Sequence, residues 1–171
     1  MNLLKRIKTK APLFLAGFCL LVFSFAISVS AQTREYWYDH IRFDIEVKND
    51  STFSVRETQE YHFVGEYHKG WRSIPYNKIS AITDVHLYDG AAGKPLEYSG
   101  NILEKTLPSS WGKYTYYESN GAMNIEWYYD ARDENKTWII EYIVHGGVSF
   151  LKTKDELYWN LFTDYDVPVN Y

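Results

Sequence analysis

The stretch Ile41-Arg42-Phe43-Asp44-Ile45-Glu46-Val47, continued through Asn49-Asp50-Ser51 into Phe53-Ser54-Val55-Arg56-Glu57-Thr58-Gln59-Glu60-Tyr61-His62-Phe63, decides the fold. Ile41, Phe43, Ile45 and Val47 alternate with Arg42, Asp44 and Glu46. A period of two marks a strand with one buried face. Asn49-Asp50-Ser51 is turn chemistry, since Asn and Asp bond their own backbone and tolerate a left-handed conformation. Phe53, Val55, Tyr61 and Phe63 resume the alternation, with Arg56, Thr58, Glu60 and His62 opposite. The two runs read as an antiparallel hairpin with one wet face. Glu57 and Gln59 break the hydrophobicity of that run, and the parity of Glu57 points its carboxylate inward. A carboxylate there must be paired, lie near a rim, or sit at a bulge that exchanges the faces.

Outward from the hairpin, turns and alternating runs recur. Gly65 to Gly70 reads as a loop. In Trp71-Arg72-Ser73-Ile74-Pro75, the proline forces Ile74 into an extended conformation. Ile82, Val85 and Leu87 lead to the Asp89-Gly90 turn, and Leu96 to Tyr98 reads as a short strand pairing back. Residues 99–113 look irregular. Tyr114 to Tyr117 and Met123 to Tyr129 flank the hairpin turn Ser119-Asn120-Gly121. Thr137 to Val148 is the most hydrophobic strand, weakened at its end by Gly146-Gly147. Asp155 to Phe162 is the one helical candidate, with Asp155 as cap and Leu157 and Leu161 one turn apart. Closely spaced short strands with turns between them predict an all-β, antiparallel β-sandwich with at most one short helix near 155–162.

The N-terminal part is of another kind. Lys5, Arg6, Lys8 and Lys10 precede an apolar run from Leu13 to Val29, and Val29-Ser30-Ala31 supplies small residues before Gln32. Residues 1–31 are predicted to be a signal peptide cut after Ala31, with an uncleaved anchor as the competing reading. Residues 32–171 are then one extracytoplasmic domain. The only cysteine, Cys19, falls inside the signal, and the run continues past it, which argues against a lipid anchor there. The domain must therefore be held by its core without disulfides. The signal carries four basic and no acidic residues, so the domain is more acidic than the net −4 of the whole chain. That charge excludes nucleic acid as a partner. Aromatics make up 18% of the chain, with 16 Tyr and 6 Trp. A sheet core rimmed with tyrosine accounts for them, and a stacking surface for sugars or a partner protein is the alternative.

Two segments concentrate charge, aromatic and amide groups: Gly70 to Pro75 and Asp155-Glu156-Leu157-Tyr158-Trp159-Asn160. Trp71, Arg72, Asp155, Glu156, Tyr158, Trp159 and Asn160 are taken as a candidate interaction or structural cluster. Trp71 is expected to pack near Trp159, with Arg72 bonding the carboxylate of Asp155 or Glu156. The alternative makes both tryptophans ordinary core anchors and leaves Arg72 solvated. No metal site is expected. His62 and His68, on either side of one predicted loop, come nearest, and Asp130 to Asn135 lacks the glycine and ligand spacing of a calcium loop. No nucleophile elbow, mature cysteine or phosphate-cradling loop is present, so neither a catalytic residue nor a cofactor is assigned. A glycan-acting hydrolase would need a second carboxylate such as Glu57 or Glu126 opposite Asp155 or Glu156.

The order and spacing of these segments carry a family resemblance. Ile41 to Val47, Asn49 to Glu57 running into Tyr61-His62-Phe63, Gly70 to Pro75, Ile82 to Leu87, Tyr142-Ile143-Val144 and Asp155 to Asn160 together resemble the N-terminal extracytoplasmic domain of a predicted bacterial membrane protein family, domain of unknown function 2207. Here Asp50-Ser51 stands where the pattern has an Asp-Gly-like turn. The resemblance covers most of residues 36–168. It implies a signal peptide, a β-rich exported domain and then transmembrane helices, with Asp164 to Val169 starting a further strand. It therefore implies that this chain is the first part of a longer protein. It brings no activity with it. The expected function is a non-catalytic interaction or sensing module, with a carbohydrate-binding module using exposed aromatics as the alternative. Its partner would be a protein or glycan at the cell surface. The membrane would be reached through the signal segment or through C-terminal helices, unless the domain is secreted.

Overall fold

The computed structural model describes residues 33–163, 165 and 167–169. The predicted signal peptide and Cys19 lie outside the described residues. Among the described residues eleven strands form: β1 Glu35–Val47, β2 Phe53–Val64, β3 Glu66–Pro75, β4 Ala81–Asp89, β5 Lys94–Pro95, β6 Glu97–Tyr98, β7 Lys113–Ser119, β8 Ala122–Arg132, β9 Asn135–His145, β10 Val148–Phe150 and β11 Asp155–Leu157. One sheet has the order β1-β2-β9-β4-β5 and the other β3-β8-β7-β6, with β10 and β11 as a separate hairpin. All pairings are antiparallel except β6 with β7.

The decisive hairpin forms as its alternation requires. β1 and β2 pair from Glu35↔Val64 to Val47↔Phe53, with a bulge between Tyr38 and His40. Asp50 closes the turn by accepting from the Thr52 amide at 3.1 Å and the Thr52 hydroxyl at 2.6 Å. Every odd residue of β2 from Phe53 to Phe63 is buried, Glu57 and Gln59 included. β1 lies at the sheet edge, and its far end, Ile45 and Val47, stays exposed.

The core fills the space between the sheets. Phe53, Val55, Phe63, Leu87, Trp138, Ile140 and Val144 come from one side, and Ile74, Met123, Ile125, Trp127 and Tyr129 from the other. Trp138 touches both Trp127 and Tyr129 across the gap, at centroid distances of 6.4 and 4.9 Å. The Tyr114 hydroxyl donates to the Val85 carbonyl at 2.9 Å. β8 is buried on both faces from Ala122 to Tyr129, and the segment 99–111 covers its outer side at the Tyr128 end, where the Leu103 amide donates to the Tyr128 hydroxyl.

Three expectations are corrected. Glu66 to Gly70 is the first half of β3; only Gly65, at φ 87, serves as the turn between sheets. Gly70 is there because a Cβ would lie 2.1 Å from the Trp127 ring. Leu96 to Tyr98 does not simply pair back: Lys94–Pro95 pairs with β4, and Glu97–Tyr98 crosses to β7 in the other sheet. The helical candidate is instead β11 and an irregular run. Asp155, Glu156 and Leu157 pair with Phe150, Ser149 and Val148, and the Tyr158 amide donates to the Gly147 carbonyl. Backbone pairing over this segment overrides a cap and one leucine pair. Past it, Tyr165, Val167 and Val169 pack against the core, and Val169 makes a single parallel bridge to Tyr38.

Candidate functional site

Successive residues of a strand face opposite sides, and β3 uses this to separate Trp71 from Arg72. Gly70, Arg72 and Ile74 point into the core opposite Trp127, Ile125 and Met123 of β8. Trp71 points outward and is 45% exposed.

Inside, Arg72 finds the carboxylate that the parity of β2 left stranded. Its Nε lies 3.2 Å from both Oε1 and Oε2 of Glu57, and the two residues are 3% and 0% exposed. Gln59 and Tyr165 also donate to Glu57. The Tyr61 hydroxyl donates to Gln59 at 2.6 Å, and Tyr38 lies 3.0 Å from Tyr61. The rest of the guanidinium holds the chain end. Its Nη1 donates to the carbonyls of Ser73 (2.8 Å) and Thr163 (2.5 Å) and to the Thr163 hydroxyl (3.1 Å), and Nη2 to the Leu161 carbonyl (3.2 Å). The Tyr165 ring lies under the guanidinium at 4.7 Å. Burial works against the Arg72 charge, and Glu57 together with Tyr165 and Tyr142 outweighs it, so its pKa stands above the ordinary guanidinium value. Burial pushes the Tyr38 hydroxyl up to about 12 and raises Tyr61 and Tyr165 as well. These phenols stay neutral donors over the physiological range.

The expected bond from Arg72 to Asp155 or Glu156 is thus replaced by the pair with Glu57, 15 residues away in sequence. Asp155 and Glu156 are exposed on β11, and Asn160 is exposed beyond it. Trp159 packs on Phe53 and Tyr142 at 5.4 and 6.2 Å, not on Trp71. Tyr158 carries the Lys78 ammonium 4.0 Å from its ring centre. The seven residues therefore do not form one cluster.

Outside, the register builds a platform in rows across β3, β8 and β7. Trp71, Glu126 and Thr115 form one row, and Ser73, Asn124 and Tyr117 the next. The loop over β8 covers one end, where the Leu103 amide donates to the Tyr128 hydroxyl at 3.0 Å. The other end stays open as a cleft of about 460 Å³, lined by Trp71, Ser73, Pro75, Tyr117, Asn120 and Asn124 among others. Glu126, in the row of Trp71 on the same face of β8, lies beside it. It accepts from Tyr117 at 3.0 Å and Tyr128 at 2.9 Å, and Lys69 lies 3.3 Å away. Only Trp71 of this platform was singled out from sequence as part of the cluster. The signal for the others was the burial of β8 on both faces, which a single-face alternation does not reveal.

A second concavity of about 480 Å³ crosses the outer face of the other sheet. Of its lining charges, Arg56 pairs with Glu141, and Asp44 with the neighbouring Arg42. Asp84 sits at the bulge of β4 with φ 52.

No curated protein and no solved structure matches the chain. A family model described as "Predicted membrane protein (DUF2207) N-terminal domain" matches residues 38–171, from the bulge in β1 past the Val169 bridge, and the chain belongs to that family.

Proposed function

We propose that this is a non-catalytic interaction domain, presented outside the cytoplasm by a membrane protein, and that it binds a glycan on the Trp71 cleft. The observation that supports this reading is an indole 45% exposed on a rigid sheet, ringed by Ser73, Asn124, Asn120 and Tyr117. A sugar ring stacks its apolar face on an indole and bonds its hydroxyls to amides and hydroxyls alongside. The neighbouring Arg72, locked on the inner face, fixes the strand that carries Trp71, so little order need be gained on binding. Glu126 is already bonded to two tyrosines beside Lys69, an arrangement suited to bracing the sheet next to the cleft rather than to moving protons. Residues 1–31 would deliver the domain across the membrane.

The test is titration with soluble cell-wall oligosaccharides, followed by tryptophan emission and calorimetry. Trp71→Ala should weaken binding about tenfold or more while the melting temperature holds. Equal binding by wild type and Trp71→Ala, or no saccharide binding by wild type, would overturn the reading.

A further inference from the structure

A second group of side chains lies apart from the Trp71 cleft. Glu66 and His68 share one face of β3, and Asp130 approaches from β8, where a bulge between Tyr67 and Lys69 shifts the register. His68 Nε2 lies 3.1 Å from Glu66 Oε1, and Nδ1 lies 3.4 Å from Asp130 Oδ1. One donor atom from each residue lies within 4.8 Å of the other two. The His68 side chain is only 17% exposed, and its Nδ1 is fully buried with no hydrogen bond. Buried polar atoms require a well-placed partner, and the Asp130 contact at 3.4 Å does not give Nδ1 hydrogen-bond geometry.

We infer that Glu66, His68 and Asp130 form a binding site for a divalent transition-metal ion of the zinc or nickel class. Two donors bound at about 2.0–2.2 Å to one ion are about 3–3.5 Å apart when adjacent and about 4–4.4 Å apart when opposite. Glu66 faces Nε2 at 3.1 Å and Asp130 faces Nδ1 at 3.4 Å, so one carboxylate would swing toward the ring nitrogen that takes the ion. Imidazole with two carboxylates suits zinc or nickel, whereas magnesium and calcium prefer all-oxygen sites. The ion would offset the repulsion between two carboxylates that share one histidine. Arg132 already fixes the other Glu66 oxygen, Nη2 to Oε2 at 2.8 Å, and leaves Oε1 turned toward His68. The ring is held flat against Trp111, at 5.4 Å and 16°, and Trp111 is anchored by its Nε1 donating to the Lys105 carbonyl at 3.0 Å. Such support from outside the ligand set orients a metal-binding histidine.

Trp111 also supplies the readout. Ni²⁺ bound at His68 should quench its emission, and with six tryptophans in the chain the loss should be partial and saturable. The experiment titrates the full chain with Ni²⁺, then with Zn²⁺ in competition. His68→Gln and Asp130→Asn should each raise the Ni²⁺ midpoint about tenfold or more. Trp111→Phe should abolish the quench while calorimetry still detects Ni²⁺. Coincident titrations of wild type and Asp130→Asn would overturn the assignment, as would full quenching in Trp111→Phe. If circular dichroism shows His68→Gln unfolded, Asp130→Asn decides, because its side chain is 53% exposed and its loss should leave the core intact.

Discussion

Replacing Arg72 by Met removes the cation from the centre of the sandwich and keeps most of the side-chain volume. Glu57 would then be a carboxylate at 0% exposure with only Gln59 and Tyr165 donating to it. The bonds from Arg72 to Leu161 and Thr163 would also go. Breaking a buried ion pair from one side costs about 3–5 kcal/mol. For a domain near 140 residues that is a fall in melting temperature of roughly 10–20 °C. The double variant Glu57→Leu with Arg72→Met exchanges the pair for apolar bulk. Such exchanges are often neutral or stabilising, so it should regain most of the loss. Urea unfolding of all four proteins, read by tryptophan emission and circular dichroism, gives the coupling energy of the pair. Hydrogen exchange at residues 161–163 should quicken in both proteins that lack Arg72. An Arg72→Met cost below about 1 kcal/mol, or a double variant at the sum of the singles, would refute the view that these charges hold each other in the core.

Gly70→Ala should cost about 2–3 kcal/mol in urea unfolding, since its Cβ would collide with Trp127 at 2.1 Å. Trp159→Ala should cost about 2 kcal/mol, because the ring is half-buried on Phe53 and Tyr142. Trp71→Ala should cost under about 0.5 kcal/mol as a surface change, and the reverse order would mean the two rings have been given the wrong roles. At alkaline pH, Tyr38 and Tyr114 should keep their protons to about 12, past the ordinary 10.0, because burial raises both. The unfolded chain ionises first, so stability should be complete below pH 10 and fall as pH rises toward 12. Tyrosinate absorbance that rises in one step near pH 10, with the fold intact, would contradict this.

The legible parts of the fold were those where one face of a strand is wet. β2 could be read residue by residue, and of its two polar inward positions, Glu57 and Gln59, the carboxylate stood out as needing a partner, a rim or a bulge. The identity of that partner was not legible. Arg72 lies on the other sheet, and local spacing says nothing about which inward positions of two sheets meet. Glu66 to Gly70 reads as a loop because it carries Glu, His, Lys and Gly. It is a strand because β8 supplies its ladder and Trp127 demands a residue without a side chain. Asp155 to Phe162 misleads for the opposite reason: a cap and one leucine pair suit a helix, whereas backbone pairing with β10 decides the outcome. Trp71 stood out by its composition, but the row beside it depends on the register of three strands.

The place of β9 has a kinetic consequence. It lies between β2 and β4, and its pairing of Arg56 with Glu141 joins residues 85 positions apart. β1 and β2 can meet through their own turn, but their sheet has no centre until β9 has been made. Closing such distant contacts is slow, on the order of milliseconds to seconds. Until then β2 presents an unpaired edge of alternating aromatics, the kind of surface on which chains associate. A chain halted before residue 135 should therefore be captured by folding helpers, and one released beyond residue 145 should escape them.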